Sequence, residues 1–384
     1  MYLIACVLSV FLIACSQIAS ASNQRNAEDQ FISIADIHFD PLSGCKTSIR
    51  ACPLLAKLRA ADYQQWDAIF EQFGPKKVAK LTGDTNYPLL KSLLIKLQEI
   101  NNSEHPQFGI IPGDFLAHDF RFRFLVYAKD FSSADYRAFV KKTLQYLTYK
   151  IRLALPDIDL YPAIGNNDSY TGDYSVIPNG SFLEDAANIW SQLILNKENR
   201  ESFLHDFPED GYYSITVPNN QFQRIIVLNT VLFSAKLSSS KMTAVANQEL
   251  VWLQRQLILT ANLKQRALLV FHIPVGIDMY STWKGHFGTI VEYWQDSYSK
   301  LFQSEVKDFS AQISAILPAH IHIDSFRFVS LRKIDNVPII FTPAVSPIFG
   351  NAPSFRVFSY NPTNFKIIGF TTYSLGQNNQ WHKD

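Results

Sequence analysis

The sequence predicts an α/β fold built around a mainly parallel sheet, and three observations carry that expectation. Short runs of β-prone residues stop abruptly at polar turns, as in Phe31-Ile32-Ser33-Ile34, Gln107-Phe108-Gly109-Ile110-Ile111 and Leu160-Tyr161-Pro162-Ala163-Ile164. Stretches with helical spacing separate them, which is the βαβ pattern. At 384 residues, with 14% aromatic and 18% charged residues, the chain can bury a large core.

Taken in order, the first 21 residues differ in kind from the rest. Tyr2 to Ala14 is almost wholly apolar, and small residues follow. This reads as an export signal that lies outside the folded domain, although no Lys or Arg stands beside Met1. Two processing readings stay open. Leu12-Ile13-Ala14-Cys15 resembles a lipobox and makes Cys15 a candidate lipid anchor, whereas Ala19-Ser20-Ala21 fits ordinary signal cleavage. A membrane helix left in place is the remaining alternative. The expected destinations are secretion, the periplasm or an outer-membrane lipoprotein.

Residues 28–384 read as a single catalytic domain. Cys45 and Cys52 are the only cysteines beyond the signal, and in an exported protein they are expected to pair; two free thiols are the alternative. The segment after the first strand reads as a loop to about Arg59, and Asp62 to Phe73 as a helix. Asp84-Thr85-Asn86-Tyr87-Pro88 reads as polar caps and a first-turn proline opening a helix to Ile100, so Asp84 is placed at a helix start and not among ligands. Ser132 to Ala154 is a long amphipathic helix. Gly180 to His205 is mostly helical and reads as a cap over the site. Residues 212–217 and 224–229 form a hairpin, 244–263 a helix, and 267–271 and 313–319 buried strands. Further strands lie near 328, 338–342, 355–359 and 366–371.

The strand ends carry the chemistry. In order they present Asp36 and His38, Asp114 after Gly113, Asn166 after Gly165, then His272, then His320 and His322. Open α/β sheets place ligands at the carboxyl ends of their strands. Oxygen and imidazole donors without a thiolate suit Zn²⁺, Mn²⁺ or Fe, and seven donors suit two ions sharing one carboxylate. Two such ions activate a water and steady a phosphoryl group. Lys and Arg total 35 against 34 Asp and Glu, so the basic excess of a nucleic-acid binder is missing.

The succession Asp-x-His, Gly-Asp with a later His, Gly-Asn-x-Asp, His and His-x-His resembles the calcineurin-like metallophosphoesterase superfamily. Longer stretches narrow the resemblance to the acid sphingomyelinase-like phosphodiesterases: Asp36 to Pro41, Gly113 to Asp119, His272 to Gly276, Pro343 to Pro347 and Gly350 to Val357. It covers about residues 30 to 372 and leaves no room for a saposin domain, so the shorter, saposin-less branch is the closer match. The resemblance implies a four-layer αββα sandwich, two mixed sheets flanked by helices. By the same similarity, Asp36, His38 and His322 hold one ion, Asn166, His272 and His320 the other, and Asp114 bridges. His118 is implied as general acid or leaving-group contact.

Two departures matter. Asn167 stands where the family usually has histidine; an asparagine can bond a phosphate oxygen but gives up no proton near neutral pH. Endopolyphosphatases resemble this Gly-Asn-Asn-Asp form. Ala319 replaces a common glycine before His320. The expected function is an exported dinuclear phosphodiesterase, with zinc the first expectation and manganese or iron the alternatives. Expected substrates are a nucleotide, a small or lipid phosphodiester, or polyphosphate. The alternatives are an endopolyphosphatase-like hydrolase and a catalytically impaired metal- or phosphate-binding protein. His105, His205, His286 and His382 are read as non-ligands, and Tyr170, Tyr174 and Trp190 as residues that line a groove or pack the core.

Overall fold

A computed structural model describes residues 28–46, 51–237, 240–329 and 336–384, with the side chains of 240 and 241 excepted. The expected signal and Cys15 lie outside the described residues. The chain starts with β1 (Asp29–Ser33), whose Phe31 ring stacks between Phe108 and Phe358 at 4.8 Å from each. Then follow α1 (Pro53–Ala60), α2 (Trp66–Phe73) and α3 (Tyr87–Glu104). Helix α1 occupies a stretch read as loop. Pro53 at its first turn starts it, and Leu54, Leu55 and Leu58 bury its inner face. The Cys45–Cys52 disulfide forms at the entrance to that helix.

Next come β2 (Phe108–Ile111), α4 (Phe120–Tyr127), α5 (Ser133–Ala154) and β3 (Asp159–Pro162). A Ser132/Asp135 capping box opens α5. The region read as a cap is α6 (Ser181–Trp190) and α7 (Lys197–Asp210). These helices pack on each other, on α5 and on the following strand, because their apolar faces are needed in the core: Trp190 stacks on Phe115.

The second half holds β4 (Tyr213–Thr216), β5 (Gln223–Val227), α8 (Ser240–Asn262), β6 (Arg266–Val270), α9 (Met279–Lys284), α10 (Asp296–Asp308) and β7 (Ile313–Leu317). The tail adds β8 (Phe326–Val329), β9 (Val337–Ile340), β10 (Ser354–Tyr360), β11 (Ile367–Leu375) and β12 (Trp381–Lys383).

Two mixed six-stranded sheets result, ordered β12-β11-β10-β1-β2-β3 and β4-β5-β6-β7-β9-β8. β1, β2 and β3 run parallel in the first, and β5, β6, β7 and β9 in the second. Helices flank the pair, giving the four-layer αββα sandwich. Parallel strands aligned in this way deliver their carboxyl ends, and the loops that leave them, to one edge of each sheet.

Candidate metal centre

The loop after β1 carries Asp36 and His38, the loop after β2 carries Asp114 and His118, and the loop after β3 carries Asn166 and Asn167. The other sheet supplies His272 after β6, and His320 and His322 after β7. All seven expected ligands meet. Around one focus, His38 Nε2 lies 3.2 Å from His322 Nε2 and 3.3 Å from Asp114 Oδ2, and His322 Nε2 lies 3.4 Å from Asp36 Oδ1. Around the other, His272 Nε2 lies 3.1 Å from Asp114 Oδ2, 2.9 Å from Asn166 Oδ1 and 3.2 Å from His320 Nδ1. Asp114 Oδ2 is common to both.

These spacings fit shared cations. Two nitrogens bound at Zn–N distances on one tetrahedral ion stand about 3.3 Å apart. Asp36 Oδ1 is buried and takes no hydrogen bond within the protein, so its desolvation is offset by nothing there except charge. The outer ring atoms of His38, His272 and His320 have partners, whereas His322 Nδ1 is buried without one. His38 Nδ1 faces the Leu116 carbonyl at 3.0 Å and His272 Nδ1 the Pro112 carbonyl at 2.8 Å, so both present Nε2 inward. His320 is turned the other way, with Nε2 at 3.2 Å from the Tyr174 hydroxyl and Nδ1 inward.

Electrostatics agree with the geometry. Burial by itself would raise the Asp36 and Asp114 carboxyls, but the histidines around them hold both well below the usual range. Burial and the neighbouring His118 lower His38, and burial and His272 lower His320, favouring the neutral rings that ligate metals. Against its own burial, His272 is pushed up to about 9 by Asp114. A buried carboxylate pair thus draws positive charge to the point where an ion would sit.

Backbone strain marks the same positions. Asp36, His38, Asp114, His320 and His322 have φ of 49°, 43°, 57°, 73° and 59°, a region that non-glycine residues seldom occupy. Gly165 has no alternative, because a Cβ there would lie 2.1 Å from Asp114 Oδ1.

Several contributors were not legible in the sequence. Asp84 is neither a ligand nor a helix cap; Asn86 caps α3. Asp84 Oδ1 instead meets His118 Nδ1 at 2.9 Å, its Oδ2 accepts from His118 N at 3.0 Å, and Ser346 Oγ donates to it. Arg123 bonds the His118 carbonyl and pairs with Asp40 and Asp84. Asp168 accepts from the backbone amides of Asp114, Phe115, Leu116 and Gly165, tying two ligand loops together. Contacts of this range have no sequence signature; only the fold brings Asp84 and His118, 34 residues apart, together.

His118 stacks on His38 with ring centres 3.9 Å apart. Burial would lower its pKa, but the Asp84 bond and charge prevail and raise it. Phe349, largely exposed, stands edge-on to His322 and His118 at the mouth of the site. Asn167 is buried and spends both its amides on Asp114: the backbone N–H on Oδ1 at 2.8 Å and Nδ2 on Oδ2 at 2.9 Å. Of the aromatics read as groove residues, Tyr174 reaches the site, while Tyr170 bonds Asp185 and Trp190 fills the core. Ala319 is fully buried without a positive φ, so its methyl group is accommodated. His205, His286 and His382 are exposed and lie apart from the ligand groups.

No protein-family model matches the chain. Cyclic GMP-AMP phosphodiesterase SMPDL3A from Bos taurus is 26% identical over 360 residues, covering 91% of this chain and 71% of the relative. Sphingomyelinase phosphodiesterase C from Dictyostelium discoideum is 27% identical over 321 residues, covering 78% and 64%. Among solved structures, a dimetal phosphatase from Danio rerio aligns over 91% of this chain and 93% of its own at a TM-score of 0.48 and 13% identity. The site described above and the two sequence relatives, both named as phosphodiesterases, support a metal-dependent phosphoric ester hydrolase. The sequence relatives also include acid sphingomyelinase-like phosphodiesterase 3b from Homo sapiens, 24% identical over 372 residues, covering 93% of this chain and 73% of the relative.

Proposed function

We propose that Asp36, His38 and His322 hold one divalent ion, that Asn166, His272 and His320 hold a second, and that Asp114 Oδ2 bridges them. The chain then hydrolyses a phosphodiester or phosphoanhydride. The observation that carries this is the convergence of seven inward donor atoms on two foci that share one carboxylate oxygen. Zinc suits the imidazole-rich set; manganese and iron remain compatible with it. Bound ions supply Lewis acidity and a hydroxide available near neutral pH.

The chain's own residues do the remainder. With Nδ1 held by Asp84, His118 directs Nε2 towards the site, and Asp84 raises its pKa and so favours the protonated ring that gives a proton to the departing oxygen. Arg123 fixes the His118 backbone and balances Asp84 and Asp40. Asn167 restrains the bridging carboxylate, which leaves its side chain no role as a proton donor. Export is supported by the apolar first 21 residues and by the Cys45–Cys52 disulfide, a bond that persists in oxidising compartments.

The test is metal counting by mass spectrometry on the purified chain together with turnover of bis(p-nitrophenyl) phosphate. We expect two ions per chain and chelator-sensitive turnover, both lost in Asp114→Ala. Two bound ions with no turnover of any diester, nucleotide or polyphosphate would leave a metal-binding protein in place of the enzyme.

A further inference from the structure

Beside the second focus stands a group that the two-ion chemistry does not use. Tyr174 follows the Asn166 ligand loop, and its backbone N–H bonds back to the Asn166 carbonyl at 2.9 Å. Its φ of 52° places it in the same strained region as the ligands, although no metal role requires it there. Its hydroxyl oxygen lies 3.2 Å from His320 Nε2 and accepts from Lys236 Nζ at 3.1 Å, and the same ammonium sits 4.4 Å over its ring.

Counting donors shows what is left over. His320 presents Nδ1 inward, so its N–H is on Nε2 and donates to Tyr174. With Lys236 donating as well, both lone pairs of the phenol oxygen are taken and its proton is free for another acceptor.

Lys236 is exposed and forms no ion pair among the described residues. The acids nearby are committed. Asp173 accepts from Asn166 Nδ2 at 2.6 Å, and Asp278 caps α9 through Ser281. A phenol proton and an ammonium without a contact ion pair among the described residues, its charge partly offset by Asp173, lie side by side and make an anion-binding pair. His118 lies on the other side, stacked on His38 at the first focus. A substrate whose leaving group faces His118 therefore extends its other substituent towards Tyr174 and Lys236.

We propose that Tyr174 and Lys236 form a subsite for a second phosphoryl group on the non-leaving side of the attacked phosphorus. The preferred substrates are thus polyanions, such as a polyphosphate chain or a nucleotide carrying a further phosphate there, and not choline esters, whose ammonium Lys236 repels. This rests on the two-ion reading above.

Calorimetric binding of methylenediphosphonate, with two phosphoryl groups, and of methylphosphonate, with one, tests it on the metal-loaded chain. The two-group probe is expected to bind wild type about tenfold tighter, the effect of one charge-assisted hydrogen bond. Lys236→Glu should erase that gap and Lys236→Arg should retain it; Tyr174→Phe should narrow it. In turnover, Lys236→Glu should lower kcat/KM for tripolyphosphate about tenfold relative to bis(p-nitrophenyl) phosphate. Preference among polyphosphate, a cyclic dinucleotide and p-nitrophenyl phosphorylcholine separates the sources. Equal binding of the two probes by wild type, an equal loss for both in Lys236→Glu, or a preference for the choline ester overturns the subsite. Failure of the two-ion reading looks different: neither probe's binding would respond to chelator.

Discussion

His118 and Asp84 act as one unit. The carboxylate takes both the ring Nδ1–H and the backbone N–H of the histidine, so it sets rotamer and charge together. Removing the ring should cost most where the leaving group is a poor one. His118→Gln is expected to lower kcat about 100-fold on an alkyl diester, within the range for general acids. The loss should be much smaller with a nitrophenolate leaving group, which needs no proton. Asp84→Asn should give a partial loss in the same pattern and move the alkaline limb of the pH–rate profile to lower pH, because it removes the charge that raises the His118 pKa. Equal losses on both leaving groups would remove the proton-donor role. The candidate ligand positions were legible in the sequence because each of the five ligand-bearing turns follows a β-rich run. The Asp84 contact was not, since no strand precedes it and Asn86 and Pro88 supply a complete helix-start signal of their own.

Among the elements, α8 carries a buried acid, Glu249, that makes no contact with the candidate ligands. Glu249 Oε1 accepts from the Asn229 amide at 2.7 Å just after β5, while its Oε2 and Asn229 Oδ1 are buried without partners. Burial pushes its pKa well above the ordinary value. The folded state therefore holds a proton that the unfolded state releases near pH 4.5. Between the unfolded and folded pKa values, stability should fall as pH rises, by about 1.4 kcal/mol per pH unit for this group. Glu249→Gln keeps the acceptor and can donate to Asn229 Oδ1. It should melt higher than wild type at pH 7.5 and nearly level with it at pH 4.5; a gain that did not vary with pH would discount the buried proton. Element boundaries followed the sequence where caps were explicit, as at Ser132 and Pro88. They were missed at α1, where three buried leucines within a short stretch make the helix a product of tertiary packing.

For the whole molecule, the centre joins the two sheets. Asp36, His38, Asp114 and Asn166 leave one sheet, and His272, His320 and His322 the other. Ions that bind only the folded chain stabilise it by mass action, about 4 kcal/mol at a thousandfold excess over Kd. Chelation should therefore lower Tm in wild type, and Asp114→Ala should melt at the chelated temperature and ignore chelator. A chelator effect preserved in Asp114→Ala would place the ions elsewhere. The parallel strands of each sheet were legible from their apolar runs. Pairing between distant strands, such as β1 with β10, was not, because register depends on which faces meet and not on local pattern.

That pairing orders events in time. β1 lies between β2 and β10, and Phe31 opposes Phe358, 327 positions further along the chain. A polypeptide emerging amino end first keeps one margin of its opening strand bare until residues 354–360 have been made. Closure so long deferred is slow. The first sheet therefore stays incomplete until almost the whole chain has been made.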